Sequence, residues 1–82
     1  MIKKIFAVYD KKAKTELSIF EQPNELVAIR DFSQVCRNKE SMIAKFPDDY
    51  ELMCLGTINT ETMEIVPEVK SIAQAKDYVN AE

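Results

Sequence analysis

The run Ile5-Phe6-Ala7-Val8-Tyr9 leaves the chain few options. It is continuously apolar and too short for a typical helix, and it is closed by Asp10 and a group of lysines, so residues 2–9 read as a β-strand. A strand with no polar side belongs in the middle of a sheet or at an interface. Thr15-Glu16-Leu17-Ser18-Ile19 alternates with period two and reads as a second strand, which makes 10–14 a hairpin loop.

Gln22-Pro23-Asn24-Glu25 carries a helix-start signal. Asn24 can accept from orphan amide groups and Glu25 favours the positive end of the helix dipole, which predicts a helix over 25–37. Leu26, Ile29, Phe32, Val35 and Cys36 recur at three- and four-residue steps and form its apolar stripe, while Arg30, Asp31, Gln34 and Arg37 should face water. Residues 38–40 read as a loop and 41–45 as a short helical turn stopped before Pro47.

Tyr50 to Ile58 alternates around Gly56 like a well-buried strand, 59–61 turns the chain, and 62–66 pairs back until Pro67 ends that strand. Ser71-Ile72-Ala73-Gln74 matches a capping box and predicts a last helix from Ser71 to about Val79. Strand, strand, helix thus occurs twice. Ile5-Phe6-Ala7-Val8 parallels Leu52-Met53-Cys54-Leu55, and Ile29-Arg30-Asp31-Phe32 parallels Ala75-Lys76-Asp77-Tyr78. The expected architecture is a single α+β domain over 1–82, of order ββαββα: a four-stranded, mainly antiparallel sheet with both helices on one face.

Composition narrows the chemistry. Eighty-two residues, 46% hydrophobic and 30% charged, describe one small globular domain rather than a disordered tail. No apolar run approaches the ~18 residues that cross a bilayer and the start lacks a signal peptide's apolar region, so a soluble, intracellular protein is expected, with no membrane contact. There is no histidine and no Cys-x-x-Cys, which removes zinc fingers and Ser-His or Cys-His nucleophile pairs. Cys36 and Cys54 sit among apolar neighbours and read as small buried hydrophobes.

Asp48 and Asp49 are adjacent, follow Pro47 and precede a strand, so they read as turn formers and not as a catalytic pair. The single glycine, Gly56, rules out a glycine-rich phosphate cradle, and the calcium-loop spacing of acids is missing. Neither an enzyme, a metal nor a cofactor is expected.

The formal charge of −3 hides an uneven distribution. Residues 1–45 hold nine Lys/Arg and six Asp/Glu, whereas residues 46–82 hold two and eight. Lys3, Lys4, Lys11, Lys12 and Lys14 all fall in the first fourteen residues. With Tyr9 or Phe6 as a stacking face and Arg30 and Arg37 as auxiliaries, this cluster is a candidate single-strand nucleic-acid site. The competing reading is that the lysines protect a sheet edge and that Phe6 belongs to the core. A sheet this small leaves apolar surface uncovered, so a homodimer is expected that covers the open face or pairs edge strands.

Three segments together carry a likeness to a known family. Ile5-Phe6-Ala7-Val8-Tyr9-Asp10, the Asn24 to Phe32 segment, and Pro47-Asp48-Asp49-Tyr50-Glu51-Leu52 followed by Gly56 resemble the small nonstructural protein of gokushovirus-like microviruses, bacteriophages with single-stranded DNA genomes. The likeness covers most of the chain. The family pattern favours an aromatic-Asp pair after the glycine and a second glycine in the next turn, where this chain has Thr57-Ile58-Asn59 and Thr60-Glu61-Thr62. The resemblance implies a nonenzymatic protein made in the cytoplasm of the infected bacterium, binding DNA or regulating the change from duplex replication to single-strand synthesis. It assigns no binding residue. The other class to weigh is a dimeric adaptor or assembly factor that contacts a phage or host protein, including a replication protein.

Overall fold

The apolar run lies in a central strand. The computed structural model describes residues 1–79, in which β1 (Ile2–Asp10) and β2 (Thr15–Gln22) form a first hairpin. Helices α1 (Glu25–Arg37) and α2 (Met42–Lys45) follow, then a second hairpin of β3 (Tyr50–Asn59) and β4 (Glu64–Gln74), and a 3-10 turn at Ala75–Asp77. The strands make one antiparallel sheet of order β2-β1-β3-β4, and with the two α-helices this is an α+β fold.

Alternation along β1 and β3 builds the core. Phe6 and Val8 pair with Cys54 and Leu52, and these four join Phe32, Cys36, Ile43, Ala73 and Ala75 in one buried cluster. Phe6, Leu52 and Cys36 are fully buried, each large aliphatic or aromatic side chain contributing ~1.5–3 kcal/mol of burial. Phe6 also stacks on Phe20, and Phe32 meets Tyr78 edge-on with ring centroids 6.3 Å apart. Both cysteines are free and buried, and burial pushes the Cys36 thiol up to about 11.

α1 begins where its cap predicts. The Asn24 side chain accepts from the Val27 amide at 3.0 Å, and such a cap is worth ~1 kcal/mol. Its buried stripe is rotated from the expected one: Ala28, Phe32, Ser33 and Cys36 are buried, while Leu26 is 79% and Val35 42% exposed. Small residues at 28 and 33 let the helix approach closely, and the Ser33 hydroxyl satisfies itself by donating to the Arg30 carbonyl.

The second half departs most from expectation. Pro67 does not end β4, which runs on to Gln74. β4 is an edge strand, where a missing N–H costs no ladder bond, and the register is irregular beside it. Nor is Ser71 to Val79 a helix. Residues 71–74 complete the ladder with β3, Glu51 opposite Gln74, and only the 3-10 turn at Ala75–Asp77 follows. The Ser71 hydroxyl and the Gln74 amide both donate to the Glu51 carboxylate, at 3.2 and 2.7 Å, in place of a capping box. The second helix is therefore α2, capped by Ser41, and the parallel between 29–32 and 75–78 joins a helix to a 3-10 turn.

β3 bends at Gly56, where it carries a bulge against β1. Gly56 has φ +142, outside the range of L side chains, and a Cβ there would collide with the Val66 carbonyl oxygen and lie 3.0 Å from Pro67 Cα.

Candidate nucleic-acid interface

The hairpin loop 11–14 is held by its own backbone. The Asp10 carboxylate accepts from the amides of Lys12 and Ala13 at 3.0 Å each, the Lys14 amide donates to the Asp10 carbonyl, and Lys14 takes φ 58. This is the usual local use of an aspartate at a turn. The Lys11 amide donates to the Asp49 carbonyl at 2.7 Å, which ties the loop to the segment before β3. That segment is itself a turn, in which the Asp49 amide donates to the Phe46 carbonyl.

A shallow cavity of about 300 Å³ opens where the two turns meet, lined by Asp10, Lys12, Met42, Phe46, Asp49 and Tyr50, among others. Phe46 is 50% exposed at its mouth. Burial, and then the Asp10 carboxylate, hold the Tyr50 phenol above its ordinary value, so it is neutral at physiological pH. The Lys12 and Lys14 ammonium groups form no ion pair among the described residues, and Lys11 donates to Gln74 at 2.9 Å.

The fold separates the other candidates. Lys3 and Lys11 stand eight residues apart on an extended strand, so about 26 Å separates them. Lys3 lies on the sheet face away from the helices and pairs with Glu21 at 3.0 Å, whereas Lys4 lies on the helix side and pairs with Glu25 at 2.9 Å. Glu25 also holds Lys70 at 3.2 Å. The hydrogen bond from Lys4, then that from Lys70, lowers the Glu25 carboxyl, and the same bond raises the Lys4 ammonium. These charges fasten the start of α1 to β1 and β4.

Tyr9 is half-buried on the face away from the helices, between Glu16 and Glu51 in the ladder. It is on the opposite side of the sheet from Phe46, since the cavity beside Phe46 is lined by Asp10 and Tyr50. Arg30 and Arg37 are exposed on α1, Arg30 with its Nε 3.9 Å from Asp31 and Arg37 in the last turn, where its charge suits the dipole. Lys11, Lys12 and Lys14 therefore share one loop, but only Lys12 lines the cavity beside Phe46, while Lys11 reaches Gln74 at the Tyr9 side of the sheet. Sequence reasoning passed over Phe46. Its signal is an aromatic between Lys45 and Pro47 that belongs neither to the α1 stripe nor to the alternation starting at Tyr50.

Among the described residues no group of three or more Cys, Asp or Glu side chains converges to hold a metal ion, and no helix is long and apolar enough to cross a membrane. No curated protein and no solved structure matches the chain. The Phage ORF5 protein family matches residues 3–78, a span that takes in the hairpin loop, both helices and the cavity between the turns; the chain belongs to that family and is a bacteriophage protein.

Proposed function

We propose that this chain is a nonenzymatic, nonstructural phage protein that binds single-stranded DNA without sequence preference during genome replication or packaging, as its likeness to the microvirus protein implies. The observation that carries this reading is the half-exposed Phe46 beside Lys12 at the mouth of the 300 Å³ cavity, with Lys11 and Lys14 on the same loop. Lysines attract phosphate and the ring offers a base a stacking surface. Asp10 and Asp49 line the same cavity, which keeps phosphate at the lysine rim and offers acceptors to a base edge.

A titration of labelled single-stranded and duplex DNA at two salt concentrations tests it. Three phosphate contacts give a salt slope of about −2 for a single strand, so doubling the salt should weaken binding roughly four-fold. Phe46→Ala should cost the single strand ~1–3 kcal/mol and leave weak duplex binding unchanged. Replacing Lys11, Lys12 and Lys14 with glutamate should weaken binding equally for all sequences and flatten the slope. No binding of either DNA form at low salt would reject the reading.

The adaptor reading rests on a different observation. An apolar groove of about 330 Å³ runs between edge strand β2 and α1, lined by Leu17, Phe20, Phe32, Val35 and Ile43, among others. An extended segment of a phage or host protein could add to β2 there. Failure of the DNA titration would leave this reading in its place.

A further inference from the structure

The helices cover one side of the sheet only. On the other side, register places four rows across the strands. Ile19, Ala7, Met53 and Ser71 form one row, and Glu21, Ile5, Gly56 and Pro67 the next. Beyond the second row lie Lys3, Ile58 and Ile65, and beyond the first lie Glu16, Tyr9, Glu51 and Gln74. Apart from Glu21 and Ser71 on the two edge strands, the two middle rows and Ile58–Ile65 make a continuous apolar band. Ile19 is 62% and Ile65 59% exposed, Ile5, Met53 and Ile58 are half-buried, and Ala7 and Gly56 between them are buried, though none of these joins the cluster under the helices.

We propose that this face is the interface of a homodimer in which two sheets pack face to face, related by a two-fold axis perpendicular to the strands. The charges select a second copy in this orientation. Lys3 stands at one end of the face, balanced there by its ion pair with Glu21, while Glu16 and Glu51 make the other end acidic. Turning the second copy end for end sets Lys3 over Glu16 and Glu51 of the second copy, twice by symmetry. The unturned arrangement would set the acidic row of one copy, Glu16 and Glu51, against the same acidic row of the other.

The size is adequate. Four strands about 4.8 Å apart over about eight residues give roughly 500 Å² of face per copy. Both copies together bury about 1,000 Å², the lower bound for a specific interface. The molecule's extents of 40 × 26 × 17 Å describe a thin plate, which pairing would thicken into an ordinary two-sheet sandwich. Edge pairing is less suited, because β4 carries Pro67 with irregular register and β2 breaks register between its pairs with Val8 and Tyr9. Phe46 lies on the other side of the sheet and the lysine loop meets this face only at its rim, where Lys11 donates to Gln74, so association measured without DNA tests the dimer apart from the DNA reading.

Sedimentation equilibrium of the full chain, without DNA, over a wide concentration range is the test. A monomer–dimer equilibrium is expected. Ile19→Lys, at a position already exposed in the single copy, should weaken association at least ten-fold while circular dichroism stays unchanged. Lys3→Glu should also weaken it, and adding Glu16→Lys should restore it. A monomer at the highest concentration, or a dimer indifferent to Ile19→Lys, would overturn the proposal. Failure of Glu16→Lys to restore association would overturn the orientation.

Discussion

The two faces of the sheet are built from alternate residues of the same strands, yet they have opposite fates. Phe6 and Val8 of β1 lie against helices, with Leu52 and Cys54 of β3 beside them in the core. Ile5, Ala7 and Tyr9, one step out of phase, face away, with Met53 across from Ala7. Both sets are apolar, so composition along a strand does not say which face will be covered. Coverage depends on where the connection between hairpins runs, and here both helices fall on one side. A continuously apolar strand therefore marks two buried faces only if something outside the hairpins supplies the second cover.

The largest effect should come from Gly56, whose backbone both faces share. Gly56→Ala puts a Cβ against the Val66 carbonyl oxygen at φ +142, and β4 must move off β3 to accept it. Chemical denaturation should show a loss of about 3–5 kcal/mol. An unchanged midpoint would mean that the bulge is not needed for either face.

Neighbouring residues on β3 compare the faces directly. Leu52→Ala, under the helices and fully buried, should cost about 2–5 kcal/mol. Met53→Ala, on the other face, should cost under about 1 kcal/mol at dilutions where single copies prevail. At high concentration it should cost more, since the open face is then the one lost. Equal costs at dilution would break the comparison.

The smallest effect concerns pH and the tie between α1 and the sheet. Glu25 is lowered by the hydrogen bond from Lys4 and then that from Lys70, so its contribution is present above 4.5, the value of a free glutamate, and is lost as pH falls through the lower folded value. Lys4 is raised by the same bond, so its part persists below 10.5 and is lost as pH rises through its folded value. Thermal unfolding followed from neutral to acidic pH should fall less steeply in Glu25→Gln than in the unaltered chain. Identical acid limbs would show that solvent screens this pair completely.

Local chemistry was readable without coordinates wherever a few adjacent residues settle the outcome. The cap at Asn24 sets the start of α1, the turn at Asp10 shapes the first hairpin, and the alternation from Tyr50 makes β3. The apolar neighbours of Cys36 and Cys54 placed both in the core. Position along the chain could not say which lysines share a surface. An extended strand carries Lys3 and Lys11 to opposite ends, and the fold of 46–49 brings Phe46 to the loop instead. The C-terminal segment shows the limit most clearly. A capping box at Ser71 to Gln74 is a local preference worth ~1 kcal/mol. A ladder with β3, which forms only when the second hairpin closes, and the burial of Ala73 and Ala75, which needs that hairpin packed into the core, outweigh it.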